Sequence, residues 1–262
     1  MYKNKPIMGI LNVTPDSFSD GGDFTDVSTA VKHAKEMIEE GVDIIDIGGQ
    51  STRPGYVEIS SKDEMKRVVP VIKEIRSFSN IPISIDTYFP DVAKAAIEAG
   101  ADIVNDVKGM DVEGMAEFIA QKQVPIIIMH SRARKEGLSI FDDLQQFYQE
   151  KIELCETLGI SKELICFDPG IGFHKSMEDN ELILAYPEKC RFEDYPLLYG
   201  VSRKRTIAHL INEDKPKERD FGSVAASLYA YNKGVEIVRV HNVKGMKDTL
   251  SVWESLQNKK QV

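Results

Sequence analysis

The sequence predicts an α/β fold, a single (β/α)8 TIM-barrel domain over residues 1–262. Short β-branched runs alternate with longer segments of helical period, and this unit recurs eight times. The runs are continuously apolar, which is typical of parallel strands that helices cover on both faces. The chain length also suits one such barrel, which needs roughly 250 residues. In this fold the active site lies at the C-terminal ends of the strands.

Eight strands and the helices between them are predicted in chain order. The strands are Ile7–Val13, Val42–Ile47, Ile83–Asp86, Asp102–Val107, Pro125–Met129, Ile165–Asp168, Leu197–Val201 and Ile237–His241. The helices are Val27–Glu40, Lys62–Phe78, Pro90–Ala99, Gly114–Lys122, Leu138–Leu158, a short extra helix at Arg203–Asn212, Phe221–Asn232 and Met246–Leu256. Gly41, Gly100 and Gly159 follow three of these helices, where a left-handed cap is favoured.

An open, doubly wound sheet is the alternative fold for alternating strands and helices. It predicts a glycine-rich G-x-G-x-x-G loop after an early strand, and the sequence has none there. The closed barrel is therefore favoured.

The composition indicates a cytoplasmic protein without a nucleic-acid or membrane partner. The net charge of −9 leaves no basic stripe to neutralise phosphates. No apolar run approaches the roughly 20 residues that span a bilayer, and Asn12 and Pro15 interrupt the first apolar segment too early for a signal peptide. Cys155, Cys166 and Cys190 are scattered without a CxxC pair, which favours reduced thiols over a disulfide or zinc site.

Polar side chains stand at or just beyond the end of each predicted strand. In order they are Asn12; Asp46 with the loop 48–55; Asp86; Asn105 and Asp106; His130; Asp168; Ser202, Arg203 and Lys204; and Arg239 with His241. An unpaired carboxylate in apolar surroundings costs several kcal/mol. Asp86, Asn105 and Asp168 adjoin apolar strand, so a ligand with several donors would supply their partners.

These side chains indicate two chemical groups in the ligand. The carboxylates and the amide suit a flat heterocycle with adjacent N–H donors. The cationic side chains are Arg53, Lys204, Arg239 and His241. They suit phosphate or carboxylate oxygens, and the Asn12 amide oxygen is a candidate ligand for Mg²⁺, which usually keeps waters and bridges substrate phosphates.

The motifs at the strand ends resemble those of the dihydropteroate synthase family, in order and over essentially the whole chain. They are Asn12–Phe18 (NVTPDSF), Asp46–Gly49 (DIGG) with Ser51–Gly55 (STRPG), Ser84–Thr87 (SIDT), Asn105-Asp106, Asp168–Phe173 (DPGIGF), Ser202–Lys204 (SRK) and Arg239–His241 (RVH). Each motif is moderately specific, and the ordered set is much more so.

The resemblance implies a transferase of folate biosynthesis. In this family 6-hydroxymethyl-7,8-dihydropterin pyrophosphate and para-aminobenzoate condense to 7,8-dihydropteroate and pyrophosphate. The reaction passes through a pterin methylene cation formed as pyrophosphate departs, with Mg²⁺ as the cofactor. Family members are commonly homodimers and are the targets of sulfonamides, which mimic para-aminobenzoate. Separation of charge at the leaving group is the costly event, and preorganised cations lower that barrier.

The resemblance also assigns a role to each matching residue. The pterin would be held by Asp86, Asn105, Asp168 and Lys204. The para-aminobenzoate pocket would be formed by Thr52, Arg53, Pro54, Phe173 and Ser202, together with Lys204. Pyrophosphate would be bound by Asn12, Arg53, Arg239 and His241, with Asn12 as the metal ligand. The catalytic set is Asp16, Arg53, Lys204, Arg239 and His241, with Asp16 and Arg53 on mobile loops that close over the site.

The chain departs from the family pattern at several loop positions. Gln50 stands where many relatives carry Glu, His174 where Gly is common, and Asn242 where Asp is frequent. The loops 108–110 and 131–137 are also unusual. These positions bear on sulfonamide sensitivity more than on the chemistry, because none is a proposed catalytic group.

Two other functions fit parts of the pattern. A non-catalytic pterin-binding paralogue would bind pterin tightly without turnover, although its mobile loops would be expected to decay first. A methyltransferase acting on methyltetrahydrofolate would share the pterin-facing residues, but it would not need Ser51–Gly55 or Ser202–Lys204.

Overall fold

The computed structural model describes residues 5–14, 23–50 and 58–259, and in the first helix it describes side chains from residue 27 onward. Eight parallel strands form one sheet in the order β6-β5-β4-β3-β2-β1-β8-β7. The strands are β1 (Ile7–Asn12), β2 (Ile44–Gly48), β3 (Ile83–Asp86), β4 (Ile103–Asp106), β5 (Ile126–Met129), β6 (Ile165–Asp168), β7 (Leu198–Tyr199) and β8 (Ile237–Val240).

The sheet closes on itself between its first and last strands. A parallel bridge joins Phe167 in β6 to Leu197 directly before β7, and the Phe167 amide donates to the carbonyl oxygen of Pro196 at 2.9 Å. The predicted (β/α)8 barrel is therefore confirmed, with the strands in their predicted places and the open-sheet alternative excluded.

Helices surround the barrel. In the described residues they are α1 (Asp23–Glu39), α2 (Ser61–Phe78), α3 (Pro90–Ala99), α4 (Met115–Lys122), α5 (Ile140–Leu158), α6 (Met177–Ala185), α7 (Arg205–Ile211), α8 (Asp220–Asn232) and α9 (Val243–Asn258). All but α6 were predicted. The signal for α6 was a capping box, since the Ser176 side chain accepts from the Asp179 amide and the Asp179 side chain accepts from the Ser176 amide.

The predicted glycine caps are confirmed. Gly41, Gly100 and Gly159 have φ angles of 86°, 115° and 72°, in the left-handed region that lacks a steric penalty only for glycine. Two long helices begin at serine caps: Ser60 accepts from the Asp63 amide, and Ser139 accepts from the Asp142 amide.

The alternation of side chains along the strands divides the apolar core in two. One face of each strand packs against the helices, in a large cluster that includes Leu11, Ile47 and Ile85. The other face lines the lumen, where seven strands contribute a small buried cluster. That cluster is Met8, Ile44, Ile103, Ile127, Cys166, Leu198 and Ile237. It forms an apolar floor, so a ligand can enter only above it, toward the C-terminal strand ends.

The three cysteines are buried free thiols, as predicted. No helix in the described part of the chain is long and apolar enough to cross a membrane.

Candidate active site

The side-chain alternation that creates the apolar floor also selects the residues above it. On a strand, residues separated by an even number of positions share a face. Among the polar side chains at the predicted strand ends, those that lie two or four positions beyond a floor residue are Asn12, Asp46, Asn105, Asp168, Arg239 and His241. Asp86 lies beside Asn105 in the register of β3 and β4. The sequence therefore places all seven at the open end of the lumen.

Gly48 makes room between two of these side chains. In the register it lies beside Asn12 on one side and Asp86 on the other. A Cβ atom at Gly48 would stand 3.6 Å from Asp86 Oδ2 and 3.8 Å from Asn12 Oδ1. The Asn12 amide and the Asp86 carboxylate consequently border the same open space.

Arg239 crosses the lumen to two carboxylates. Its Nε donates to Asp46 Oδ2 at 2.5 Å, and its Nη2 donates to Asp86 Oδ2 at 2.6 Å. Asn105 Nδ2 also donates to Asp46 Oδ2, at 3.1 Å. Burial raises the pKa of Asp86 above its ordinary value of 3.8, with the Arg239 charge opposing the rise and the Asp46 carboxylate adding to it. One guanidinium thus donates to one oxygen of each of two carboxylates, so both carboxylates can accept further hydrogen bonds.

Three buried oxygen atoms in the lumen have no hydrogen-bond partner among the described residues. They are Asp46 Oδ1, Asp86 Oδ1 and Ser84 Oγ, and Ser84 lies beside Asp46 in the strand register. Each unmet buried acceptor costs about 1–3 kcal/mol. The lumen is therefore suited to a ligand that brings several N–H donors.

A second part of the site brings together Asp168, Lys204 and Phe173. The Asp168 carboxylate accepts from the Gly170 amide at 2.7 Å. Lys204 Nζ donates to the Ile171 carbonyl and lies 4.6 Å from the centre of the Phe173 ring. Burial lowers the pKa of Lys204 to about 8, although the Asp168 carboxylate opposes this shift. A cation and an aromatic face therefore adjoin the lumen beside a carboxylate.

Ser202 and His241 contact each other at the strand ends. Ser202 Oγ lies 2.9 Å from His241 Nδ1 and accepts from the His241 backbone amide at 3.1 Å. In this arrangement the predicted pocket residue Ser202 also fixes the orientation of the His241 ring.

Asp106 and His130 point away from the lumen. Asp106 is the residue after the lumen-facing Asn105, and its carboxylate accepts from the amides of Lys108 and Met110 at 2.8 and 2.6 Å. His130 Nε2 lies 3.1 Å from Asp143 Oδ2 of α5. Both side chains therefore bind groups outside the lumen.

Four predicted site residues lie outside the described residues: Asp16, Thr52, Arg53 and Pro54. Their predicted roles therefore stay predictions. Gln50 adjoins the segment 51–57, and its side chain accepts from the Ile59 amide and donates to the Tyr88 hydroxyl, both at 2.8 Å. Gln50, directly before that segment, is thus bound both to Ile59, shortly after it, and to Tyr88 in the loop after β3.

Two features of the site were not predicted from the sequence. Tyr88, Val107 and Met129 form an apolar cluster against which Phe173 packs; their proximity depends on the barrel closing. The ammonium of Lys175 contacts the loop that carries Phe173. A lysine directly before the helix cap at Ser176 was the only signal for it in the sequence.

The metal that the sequence predicts would have one candidate protein ligand here. The described residues contain no group of three or more His, Cys, Asp or Glu side chains that could hold an ion. A half-buried amide oxygen at Asn12 suits Mg²⁺ held mainly by water and substrate phosphates, which is a common mode for this ion. The residues present fit that mode and not an all-protein cage.

Comparison with known proteins agrees with the geometry. Residues 8–241 match the family model described as pterin binding enzyme. A curated relative, the dihydropteroate synthase of Streptococcus pyogenes serotype M6, is 46% identical over 256 residues, which cover 97% of this chain and 96% of the relative.

Solved structures of similar proteins share the fold over nearly the full length. The Xanthomonas albilineans dihydropteroate synthase with 4-aminobenzoic acid superposes with a TM-score of 0.93 at 40% identity, covering 98% of this chain and 94% of the other. The Yersinia pestis dihydropteroate synthase in a sulfonamide drug complex superposes with a TM-score of 0.91 at 36% identity, covering 98% and 96%.

Proposed function

Since the chain belongs to the dihydropteroate synthase family of pterin-binding enzymes, we propose how its residues carry out the family's reaction. The chain is a transferase of folate biosynthesis that joins a dihydropterin to para-aminobenzoate. We further propose that the barrel is the whole catalytic unit. The substrate pterin carries pyrophosphate as its leaving group.

The lumen is the proposed pterin site. Asp86, Asn105 and Asp168 face it from three strands, and Lys204 adjoins Asp168. The observation that carries this assignment is the set of buried oxygens without a partner among the described residues, above all Asp86 Oδ1. An aminopyrimidinone ring presents adjacent N–H donors at its edge, so it would satisfy acceptors that the protein alone leaves unmet.

The proposed reaction begins with cleavage of the bond between the pterin methylene carbon and the pyrophosphate oxygen. The electron pair leaves with pyrophosphate, and Arg239, His241 and Lys204 stabilise the departing negative charge. The amine lone pair of para-aminobenzoate then forms the new C–N bond, and the amine loses one proton to solvent or pyrophosphate. An arylamine is already nucleophilic, so the site needs no strong general base.

Asn12 is the proposed protein ligand of Mg²⁺. When bound, the ion would supply electrostatic stabilisation of the pyrophosphate oxygens. Asn12 borders the open space beside Asp86, so its amide oxygen lies where the pyrophosphate of a bound pterin would leave the lumen.

The para-aminobenzoate pocket is proposed at the mouth of the barrel. Phe173 offers a ring face beside the Lys204 ammonium, which suits an aromatic ring that bears a carboxylate. Thr52, Arg53, Pro54 and Ser202 would complete this pocket. We propose that the same pocket takes sulfonamides and that Asp16 and Arg53 close over it, excluding water from the methylene cation.

We also propose a cytoplasmic homodimer. The three buried free thiols are consistent with a reducing compartment. Leu210 and Ile211 on α7 and Phe221 on α8 are exposed, and Phe221 is 89% exposed. Such an apolar patch is typical of an interface. Light scattering should give twice the chain mass of 29.4 kDa, and Phe221→Asp should give the monomer; a monomeric unmodified protein would refute the dimer.

The deciding experiment follows dihydropteroate formation from dihydropterin pyrophosphate, para-aminobenzoate and Mg²⁺. Lys204→Ala should lower kcat/KM at least about 100-fold, because it removes a cation at the developing charge. Lys162→Ala is the matched control, since Lys162 is exposed and pairs with Asp194 and Glu193 away from the lumen. Tight pterin binding without product would instead identify a non-catalytic pterin-binding protein.

A further inference from the structure

The loop between β6 and α6, residues 169–176, connects the two proposed substrate sites. It begins directly after Asp168 and carries Phe173. Its backbone polar groups are held by side chains from several elements. Asp168 accepts from the Gly170 amide, Lys204 donates to the Ile171 carbonyl, Asn180 Oδ1 accepts from the Gly172 amide, and Lys175 donates to the carbonyls of Gly170 and Phe173. Of these side chains, Lys175 and Asn180 have no part in the proposed chemistry.

Lys175 ties this loop to the end of the neighbouring strand. Its Nζ donates to the carbonyl oxygens of His130 at 2.8 Å, Gly170 at 3.1 Å and Phe173 at 3.2 Å. It also lies 3.0 Å from His130 Nδ1, a fourth acceptor that shares the three N–H donors of the ammonium when the ring is neutral. Burial lowers the pKa of His130 to about 3, aided by the charge of Lys175, so the ring is neutral at physiological pH.

The Lys175 ammonium is expensive to bury. No carboxylate lies within ion-pair distance of it among the described residues, and burial lowers its pKa to about 7. The more distant charges that face it are Asp168, Lys204, Asp143 and Asp179. A neutral, well-packed side chain would avoid this desolvation cost. What the ammonium supplies instead is a fixed set of N–H donors aimed at three carbonyls.

The loop packs so closely against the His130 backbone that Gly170 cannot move toward it. Gly170 has φ 68°, and a Cβ atom there would stand 2.0 Å from the His130 carbonyl oxygen and 3.2 Å from Lys175 Nζ. Loss of the ammonium would leave the carbonyls of His130 and Phe173 without this donor. The loop would then shift as a unit, moving the Phe173 ring and the Gly170 amide that Asp168 accepts from.

We propose that Lys175 is a positioning residue for the condensation, holding the β6–α6 loop so that Phe173 faces para-aminobenzoate and Asp168 faces the pterin. This rests on the proposed function of those two side chains. Lys175 itself contacts carbonyls and His130, so its effect on the substrates passes through the loop.

The test compares Lys175→Met with Lys151→Met. Lys151 is the matched control because its ammonium is likewise held inside the protein, with the side chain 3% exposed, and it pairs with Asp111 at 2.6 Å outside the proposed site. We expect Lys175→Met to raise KM for para-aminobenzoate about tenfold, the effect of one lost charge-assisted hydrogen bond, with kcat within about threefold. Lys151→Met should lose thermal stability and keep both constants.

A second variant and a binding measurement make the test decisive. Lys175→Gln keeps two N–H donors, so its KM should lie between those of the unmodified protein and Lys175→Met; it also replaces Lys175→Met if that variant does not fold. An unchanged KM, a fall in kcat alone, or an equal effect in Lys151→Met would overturn the proposal. If the unmodified protein makes no dihydropteroate, the proposed function fails. The role of Lys175 can still be tested by calorimetry with 6-hydroxymethylpterin: Lys175→Met should weaken the affinity at least about threefold, because the loop shift would move the backbone contact of Asp168.

Discussion

Replacing Glu64 by Gln should remove a pH-dependent loss of stability. Glu64 lies in α2 and is 1% exposed, and its Oε2 accepts from the Thr87 hydroxyl at 3.1 Å. Burial raises its pKa from 4.5 to about 8; the Thr87 hydroxyl opposes this shift, and the neighbouring Asp86 charge adds to it. The side chain is therefore protonated in the folded protein over a range in which the unfolded chain has released the proton.

The sign of the effect follows from proton linkage. Between pH 4.5 and about 8 the folded state binds more protons than the unfolded state at this carboxyl, so stability falls as pH rises through that window. At about 1.4 kcal/mol per pH unit, the loss between pH 5 and pH 8 comes to about 3 kcal/mol. Gln cannot ionise, so the Glu64→Gln variant should not show this loss. Titrating groups that do not interact with Glu64 are common to both proteins and cancel in the comparison, which leaves Glu64 and its coupling to Asp86 as the source of the difference.

Urea unfolding at pH 5, 6.5 and 8 measures the difference. The free energy of unfolding of Glu64→Gln minus that of the unmodified protein should rise by about 3 kcal/mol from pH 5 to pH 8. Glu74→Gln is the control because Glu74 is exposed on the same helix; its difference should stay constant. Parallel curves for Glu64→Gln, within about 1 kcal/mol across the range, would show that the carboxyl is not desolvated as the structure places it.

Two further substitutions test the loop geometry and the pterin site. Gly170→Ala should cost more than about 3 kcal/mol of unfolding free energy, because the new Cβ would stand 2.0 Å from the His130 carbonyl oxygen. Gly159→Ala should cost only about 1 kcal/mol, since its φ of 72° is similar but nothing lies within 4 Å; equal costs in urea unfolding would contradict the close contact. Asp86→Asn should weaken pterin binding at least about 30-fold in calorimetry, whereas Asp248→Asn, at an exposed pair with Lys244, should leave it unchanged; unchanged binding in Asp86→Asn would remove Asp86 from the site.

Most of the fold can be predicted from the sequence because apolar residues recur with different periods in strands and in helices. Eight apolar runs of β-branched residues locate the strands to within about two residues. Helix α9 begins earlier than predicted, at Val243 rather than Met246, because Asn242 caps it by accepting from the Gly245 amide at 2.8 Å. Helix α6 was not predicted because its apolar residues show little helical period; its clearest signal in the sequence is the serine cap at Ser176 with Asp179 three residues on.

The sequence predicts which side chains share the lumen but not which of them pair. Strand alternation places Asp46, Asp86 and Arg239 together once the barrel closes. The sequence does not show that the Arg239 guanidinium binds both carboxylates, because Arg239 and Asp46 are 193 positions apart in the chain and meet only through the length of the arginine side chain. The contacts of Lys175 are likewise not predictable from the sequence, because it binds backbone carbonyls, which every residue has.

The positions at which the sequence departs from the expected family pattern, Gln50, His174 and Asn242, lie outside the strands. Asn242 is a helix cap, and Gln50 makes two hydrogen bonds beside the segment 51–57. His174 has φ 47° and is exposed. At that backbone angle a residue other than glycine costs about 1–2 kcal/mol. Because the His174 side chain is exposed, its effect on Phe173 would pass through backbone strain and not through occupation of the pocket. A change in sulfonamide affinity at this position should therefore be accompanied by a change in the affinity for para-aminobenzoate, since both ligands would depend on the same Phe173 ring.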